Sequence, residues 1–314
     1  MHMDIRRIQY PFTELHSVPP DGQVIAIGDF DGVHLGHREV ISRAIERARS
    51  LGVPAAIMTF DPHPREVLGK AQYSRILTPI DEKMRLFAEL GVDQVYIVHF
   101  TPELARVSPE DYYKNMLYPL KPRVIVVGFD FTFGHRGQGT AETLAKLAKA
   151  GESIEVIAPH NMDGEKISST LIREQLHLGR LERVKSLLGR HYRIQGKVVK
   201  GEGRGRKIGY PTANLEPLDR YVIPRQGVYA VRVYLDGETL KGVMNIGIKP
   251  TFHEDEEQPP TLEVHILDRN EDLYGRTLEI EFAAYLRPEM KFSSVEMLIE
   301  QIAKDAQRAK QILA

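Results

Sequence analysis

The sequence has no cysteine and no tryptophan among its 314 residues, and no excess of charge of either sign. Absence of cysteine excludes a disulfide scaffold, thiolate metal sites and a cysteine nucleophile, and it accords with a reducing compartment, so a cytoplasmic protein is expected. No apolar run approaches the ~20 residues a helix needs to span a bilayer. The start, Met1-His2-Met3-Asp4 followed by Arg6 and Arg7, has no apolar stretch of a secretion signal. Lys and Arg number 42 against 43 Asp and Glu. Residues 1–186 hold 23 basic and 24 acidic residues and residues 187–314 hold 19 of each, so neither half has the basic excess of a phosphate-backbone binder. Neither nucleic acid nor a membrane is expected as a partner. With 42% apolar and 27% charged residues the composition is that of a globular protein. Its length favours two domains, each large enough for its own core.

What is present divides near residue 186. In the first half, apolar runs at Val24–Ile27, Ala55–Met58, Val95–Val98, Val124–Val127 and Ile154–Ile157 read as buried strands. Val40, Ile41, Ala44, Ile45, Ala48 and Leu51 fall on one face of a helix. Thr78-Pro79-Ile80-Asp81 and Ser108-Pro109-Glu110-Asp111 read as capped helix starts with proline at N1. Alternating strands and helices predict a parallel sheet with ligands beyond its carboxyl edge. After an amphipathic stretch from Thr170 to Leu188, the second half reads as strands at Tyr192–Val199, Val228–Leu235, Leu240–Ile246, Leu262–Leu267 and Thr277–Phe282, an antiparallel barrel or sandwich. A last helix carries Val295, Leu298, Ile299, Ile302, Ala306 and Ala309 on one face, with Ser293 and Glu296 as a capping box; Glu254-Asp255-Glu256-Glu257 before Pro259-Pro260 reads as a solvated loop.

Three segments carry most of the chemistry. Gly28-Asp29-Phe30-Asp31-Gly32-Val33-His34-Leu35-Gly36-His37 joins the first buried strand to the first long helix. Backbone at Gly28, Gly32 and Gly36 can approach a ligand, the helix start offers free N–H groups, and two imidazoles suit a polyphosphate. By itself the segment reads equally as a tight turn with two capping histidines, and a zinc pair would need an i, i+4 spacing and a third ligand. Gly134-His135-Arg136-Gly137-Gln138-Gly139 looks like a phosphate loop and equally like a solvated turn. In the second half, Gly201, Gly203, Arg206 and Lys207 form a glycine-rich cationic loop before Pro211-Thr212-Ala213-Asn214. Thr212 and Asn214, two apart on extended backbone, point the same way and offer two hard oxygen ligands to one Mg²⁺, although an ordinary turn also accounts for them. The chain has no Gly-x-x-x-x-Gly-Lys-Ser/Thr loop, so any kinase here is not of the P-loop kind.

Five ordered matches in the first half resemble the adenylyltransferases that make FAD: the segment 28–37; Thr59-Phe60-Asp61-Pro62-His63-Pro64; Leu77-Thr78-Pro79 with Glu82-Lys83; Gly128-Phe129-Asp130-Phe131-Thr132-Phe133-Gly134; and Ile167-Ser168-Ser169-Thr170 with Arg173. The resemblance implies that Gly28, Phe30, Gly32, His34, Gly36 and His37 hold ATP, with both histidines on its phosphates. Ser169, Thr170 and Arg173 would close on them and Asp130 would help position ATP. Pro62, His63, Pro64 and Phe133 would border the flavin.

The second half resembles bacterial riboflavin kinases through Gly205-Arg206-Lys207-Ile208-Gly209-Tyr210-Pro211-Thr212-Ala213-Asn214-Leu215, Gly227-Val228-Tyr229-Ala230, Asn245-Ile246-Gly247, Pro250-Thr251, Glu263-Val264-His265-Ile266, Asp272-Leu273-Tyr274-Gly275 and Leu286-Arg287-Pro288-Glu289. By that resemblance Thr212 and Asn214 bind Mg·ATP, Glu263 is the base facing the riboflavin 5′-hydroxyl, and Arg287 lies on the flavin side. One departure is Leu267-Asp268-Arg269-Asn270, which lacks the aromatic that commonly follows this aspartate. Together the resemblances imply a bifunctional enzyme: an α/β nucleotidyltransferase-type parallel-sheet domain at residues 1–186 and, at 187–314, an all-β six-stranded antiparallel barrel with a C-terminal helix. Its expected ligands are riboflavin, FMN, FAD, ATP, ADP, pyrophosphate and Mg²⁺. The rival readings are another nucleotidyltransferase with a regulatory barrel and a flavin-sensing regulator.

Overall fold

Six parallel strands organise the first part of the chain in a computed structural model that describes residues 3–13, 18–201, 205, 208–248 and 260–314. They are β1 (Asp4–Ile8), β2 (Gln23–Ile27), β3 (Ala55–Asp61), β4 (Gln94–His99), β5 (Pro122–Gly128) and β6 (Ser153–Ile157), in the order β1-β4-β3-β2-β5-β6. All five strands read from the sequence are present; in β2, β3, β4 and β5 the Val, Ile, Ala and Met runs are buried on both faces of the sheet, whereas β6 is an edge strand whose Val156 is exposed and whose Ile154 and Ile157 are only half-buried. Strand β1 escaped that reading. It is an edge strand whose sequence, Asp-Ile-Arg-Arg-Ile, leaves little apolar signal.

Strand order reverses at β2, which has β3 on one side and β5 on the other. A crevice therefore opens beyond the carboxyl ends of β2 and β5, where ligands bind in open α/β sheets. Helix α1 (Leu35–Leu51) buries Val40, Ile41, Ala44, Ile45 and Ala48, as its periodicity predicts. Ser108 caps its helix as expected, with its hydroxyl accepting from Asp111 N–H. Thr78 does not cap helix α2 (Ile80–Leu90): Pro79 is the N-cap, and the Thr78 N–H is directed to Asp31.

The chain divides into two compact units, Met1–Ser169 and Thr170–Ala314. The amphipathic stretch expected from Thr170 to Leu188 is two helices, α3 (Ser169–His177) and α4 (Leu181–Leu188), interrupted where Gly179 adopts φ +72°. Helix α4 packs on the strands Tyr192–Val199 and Thr277–Arg287 of the barrel that follows.

That barrel is closed and antiparallel. Its strands are β7 (Tyr192–Val199), β8 (Ala213–Pro217), β9 (Gly227–Leu235), β10 (Glu238–Gly247), β11 (Thr261–Ile266) and β12 (Thr277–Arg287), ordered β7-β8-β11-β10-β9-β12 and joined back to β7. Leu262, Val264 and Ile266 are buried and alternate with half-buried Thr261, Glu263 and His265, the period expected of a strand with one face in a core. Helix α5 (Val295–Ile312) covers an outer patch in which Ala309 and the following Leu313 meet Val228, Ala230, Ala283 and Leu286. Its N-cap is Ser294 rather than Ser293, accepting from Met297 N–H. Gly203, Arg206, Lys207, Pro250-Thr251 and the acidic run 254–257 lie outside the described residues.

Candidate active sites

The loop from Gly28 to His34 leaves β2 and enters α1 at the switch point of the sheet. His34 is the N-cap: its Nδ1 accepts the His37 N–H at 3.2 Å, so the neutral ring carries its proton on Nε2. The His34 and His37 rings stack at a centroid distance of 3.5 Å, with Phe30 edge-on to His37. Two non-glycine residues of the loop have positive φ, Phe30 at +50° and Val33 at +40°. Such backbone costs of order 1–3 kcal/mol per residue and persists only where the surroundings impose it. They do: the Asp29 carbonyl accepts from Thr59 Oγ1 at 3.0 Å and Lys83 Nζ at 2.7 Å, and the Asp31 carbonyl accepts from Ser169 Oγ at 2.7 Å. The buried Asp31 carboxylate takes the N–H groups of Leu77 at 2.9 Å and Thr78 at 3.1 Å.

His63 follows β3 and caps the short helix Pro64–Val67, its Nδ1 accepting from Arg65 N–H. This leaves Nε2 for Asp29, 3.4 Å away, and the ring stacks on Tyr73. Burial alone would raise the Asp29 carboxyl, but His63, Lys83, the Asp31 N–H and Arg65 together hold it below the ordinary aspartate value. Pro62 and Pro64 flank His63 and are partly exposed. Asp130 sits in the loop after β5, beside the crevice, paired with Lys166 at 2.7 Å. Phe133 lies in the core, stacked on Phe131 and 7% exposed. Thr170 and the buried Arg173 lie on α3 in the second unit. Among the described residues no group of three or more His, Asp or Glu side chains is placed to hold a metal ion, so the zinc reading of His34 and His37 has no third ligand there.

In the barrel, one row of register partners crosses three strands: Asn214 on β8 faces Glu263 on β11, which faces Asn245 on β10. Thr212 donates to Glu263 Oε2 at 3.4 Å, and Asn245 Nδ2 donates to Glu289 Oε1 at 3.2 Å. Thr212 and Asn214 line a cleft of about 360 Å³ whose wall includes Gly201, Val264, Arg269 and Tyr274. A Cβ at Gly201 would lie 1.9 Å from Asn214 Nδ2, so any larger residue there would displace the Asn214 amide. Arg269, at the position of the missing aromatic, is held by Glu238 at 2.5 Å and Glu271 at 2.9 Å. Arg287 makes a two-oxygen pair with the buried Asp305 of α5 at 2.8–3.1 Å.

Sequence reasoning assigned no role to Asp29, Asp31, Lys83, Asn245 and Asp305, whose partners are distant in the chain. Two other acids of the barrel, Glu279 and Glu281, lie on β12. Glu279 pairs with Arg193, and Glu281 with Arg193, Arg232 and the Tyr234 hydroxyl. Burial would raise the Glu281 carboxyl, but the two guanidinium groups and the phenol outweigh it and hold it low. Breaking a buried ion pair typically costs 3–5 kcal/mol; Arg193 and Arg232 are about 30% exposed, so we expect about 2 kcal/mol for Glu281→Gln. Because the folded carboxyl titrates below its unfolded value, this contribution is complete at neutral pH and is lost as pH falls through the lowered value. Denaturant melts of the two proteins should converge in acid; a gap that stays constant down to pH 3 would refute the assignment.

Residues 17–171 match the FAD synthetase family and residues 188–313 the riboflavin kinase family. A bifunctional riboflavin kinase/FMN adenylyltransferase of Listeria monocytogenes is 41% identical over 293 residues, 93% of this chain and 93% of its own. Its counterpart in Bacillus subtilis is 40% identical, covering 91% of each chain, and that of Escherichia coli K12 is 39% identical, covering 95% of each. A crystal structure of a macrolide-efflux protein from Streptococcus pneumoniae has a TM-score of 0.86 at 31% identity, over 97% of this chain and 98% of that one. The last similarity is one of fold. Among the described residues no helix is long and apolar enough to cross a membrane.

Proposed function

The chain belongs to the bifunctional riboflavin kinase/FMN adenylyltransferase family, and from that premise we propose how its residues divide the two reactions. Riboflavin is phosphorylated to FMN in the barrel, and AMP passes from ATP to FMN in the parallel-sheet unit, giving FAD and pyrophosphate.

For adenylylation, the FMN phosphate is already an ionised nucleophile, so the protein's work is orientation and charge stabilisation rather than activation. His34 and His37 take the ATP phosphates. The observation that carries this is the His34 cap: with Nδ1 occupied, a neutral His34 offers only Nε2–H, a donor, to a ligand. Gly28, Phe30, Gly32 and Gly36 shape the cradle, Asp130 lies at the nucleotide's side, and Ser169 holds the loop through Asp31. Thr170 and Arg173 are assigned by family pattern to the same nucleotide. Pro62, His63 and Pro64 border the flavin, as does Phe133, whose burial suits a packing wall rather than a polar contact.

For the kinase, the riboflavin hydroxyl has a proton to lose, and the carboxylate of Glu263 is the acceptor. Thr212 and Asn214 supply two oxygen donors on the cleft wall beside that carboxylate, a hard set that fits Mg²⁺. When bound, the ion would neutralise polyphosphate charge. Gly201, Gly203, Arg206 and Lys207 are assigned to the kinase's ATP from the glycine-rich cationic sequence, and Arg287, fixed by Asp305, lies toward the flavin.

Thr212→Ala or Asn214→Ala is therefore expected to lower kinase turnover and raise the Mg²⁺ concentration it requires, while FAD synthesis from supplied FMN is unchanged. Flavin chromatography after incubation with ATP reads both reactions. Unaltered Mg²⁺ dependence in both variants would remove these residues from the metal site.

A further inference from the structure

Lys83 stands in an unfavourable place for a lysine. It is 6% exposed, and it lies in the first turns of α2, where the helix dipole opposes a cation. Asp81 and Glu82 in the same turn are the residues a helix start favours. Burying an ammonium group costs several kcal/mol unless it is paired and hydrogen-bonded, so its position is accounted for by what it touches. Its Nζ donates to the Asp29 carbonyl at 2.7 Å, and its charge acts on the Asp29 carboxylate. That carboxylate also faces His63 at 3.4 Å. Lys83 thus meets the strained ATP loop at the residue that ties it to the loop after β3.

We infer that Lys83 is a positioning residue for adenylyl transfer: through Asp29 it fixes the loop bearing His34 and His37 in register with the loop bearing His63. This rests on the reading that those histidines hold ATP phosphates. The nearby backbone contacts do not replace it. Thr59 reaches the same carbonyl with a neutral hydroxyl, and Asp31 anchors the far side of the loop through Leu77 and Thr78. Among the described residues, His63, Lys83 and Arg65 bring positive charge to Asp29, and the Asp31 N–H donates to its carboxylate.

Lys83→Met keeps the aliphatic stem and removes the charge. The expected result is a fall in kcat for FAD formation of about 10²-fold, the scale of an ångström-sized misplacement, with a smaller change in KM for ATP. Kinase activity of the same chain should be untouched. The acid limb of the FAD-forming pH profile should move up, because Asp29 loses a cation that keeps it ionised while its burial remains. Lys83→Arg should restore the acid limb in part. Asp29→Asn, which preserves shape and keeps the carbonyl that Lys83 donates to, tests the link should Lys83→Met fail to fold: it should lower kcat, and in a folded double variant adding Lys83→Met to it should cost less than Lys83→Met costs alone. Normal kcat in Asp29→Asn, additive losses in the double variant, or an unmoved acid limb in Lys83→Met would each overturn the inference. Full activity in His34→Asn and His37→Ala would instead sink the phosphate reading on which it rests, so the two failures are distinguishable.

Discussion

Replacing both His34 and His37 by Ala should reduce FAD formation from FMN by about 10⁴-fold or more while leaving riboflavin phosphorylation intact. Loss of one preorganised donor typically costs 10²–10³ in rate, and two donors on the same phosphates act together. Part of any His34→Ala effect is structural, because its Nδ1 caps α1 and an N-cap is worth about 1 kcal/mol. His34→Asn separates the two contributions: asparagine caps a helix well but offers no imidazole N–H. We expect His34→Asn to melt like the parent and still lose about 10²-fold in adenylylation. Single-turnover FAD formation at saturating ATP and FMN is the measurement. A rate within threefold of the parent in the double variant would return both histidines to a purely structural role.

Glu263→Gln should lower kinase turnover by about 10²-fold, the lower end of the 10²–10⁴ typical for a general base. Phosphoryl transfer tends toward a loose transition state in which the hydroxyl proton leaves late, so orientation at Thr212 and Asn214 carries much of the catalysis. Gln also retains an oxygen for the Thr212 hydroxyl, which lies 3.4 Å from the carboxylate in the parent. The expected signature is a lowered plateau together with a flattened acid side of the single-turnover pH profile, and FAD synthesis from supplied FMN at the parental rate. An unchanged profile would remove Glu263 as base. Glu279 and Glu281 are poor substitutes for it, because arginines on neighbouring strands already hold both carboxylates. Glu289, which accepts from Asn245 beside Glu263, would be the next acid to test.

Each helix and strand recognised in advance was legible for a local reason. Val24–Ile27 or Leu262–Ile266 announces itself within a few residues, since the period of burial is set by the backbone geometry of that element alone. The edge strand Asp4–Ile8 and the short strand Ala213–Pro217 did not, because their pairing is supplied by partners elsewhere: β4 for the first, β7 and β11 for the second. Cap chemistry was legible at Ser108. It misled at Thr78, whose N–H is drawn to a carboxylate 47 positions away.

By itself, then, the sequence determined two architectures, the order of the motifs and the residue types available for phosphate, metal and proton transfer. The tertiary structure alone decided which of those residues meet. Strand order brings Asp29, His63 and Lys83 together from the ends of β2 and β3 and the start of α2, and barrel register sets Asn214, Glu263 and Asn245 side by side. The physical reason is that hydrophobic periodicity is a property of neighbouring residues. A buried charge or a cross-strand row exists only once segments far apart in the chain have packed and excluded the water between them.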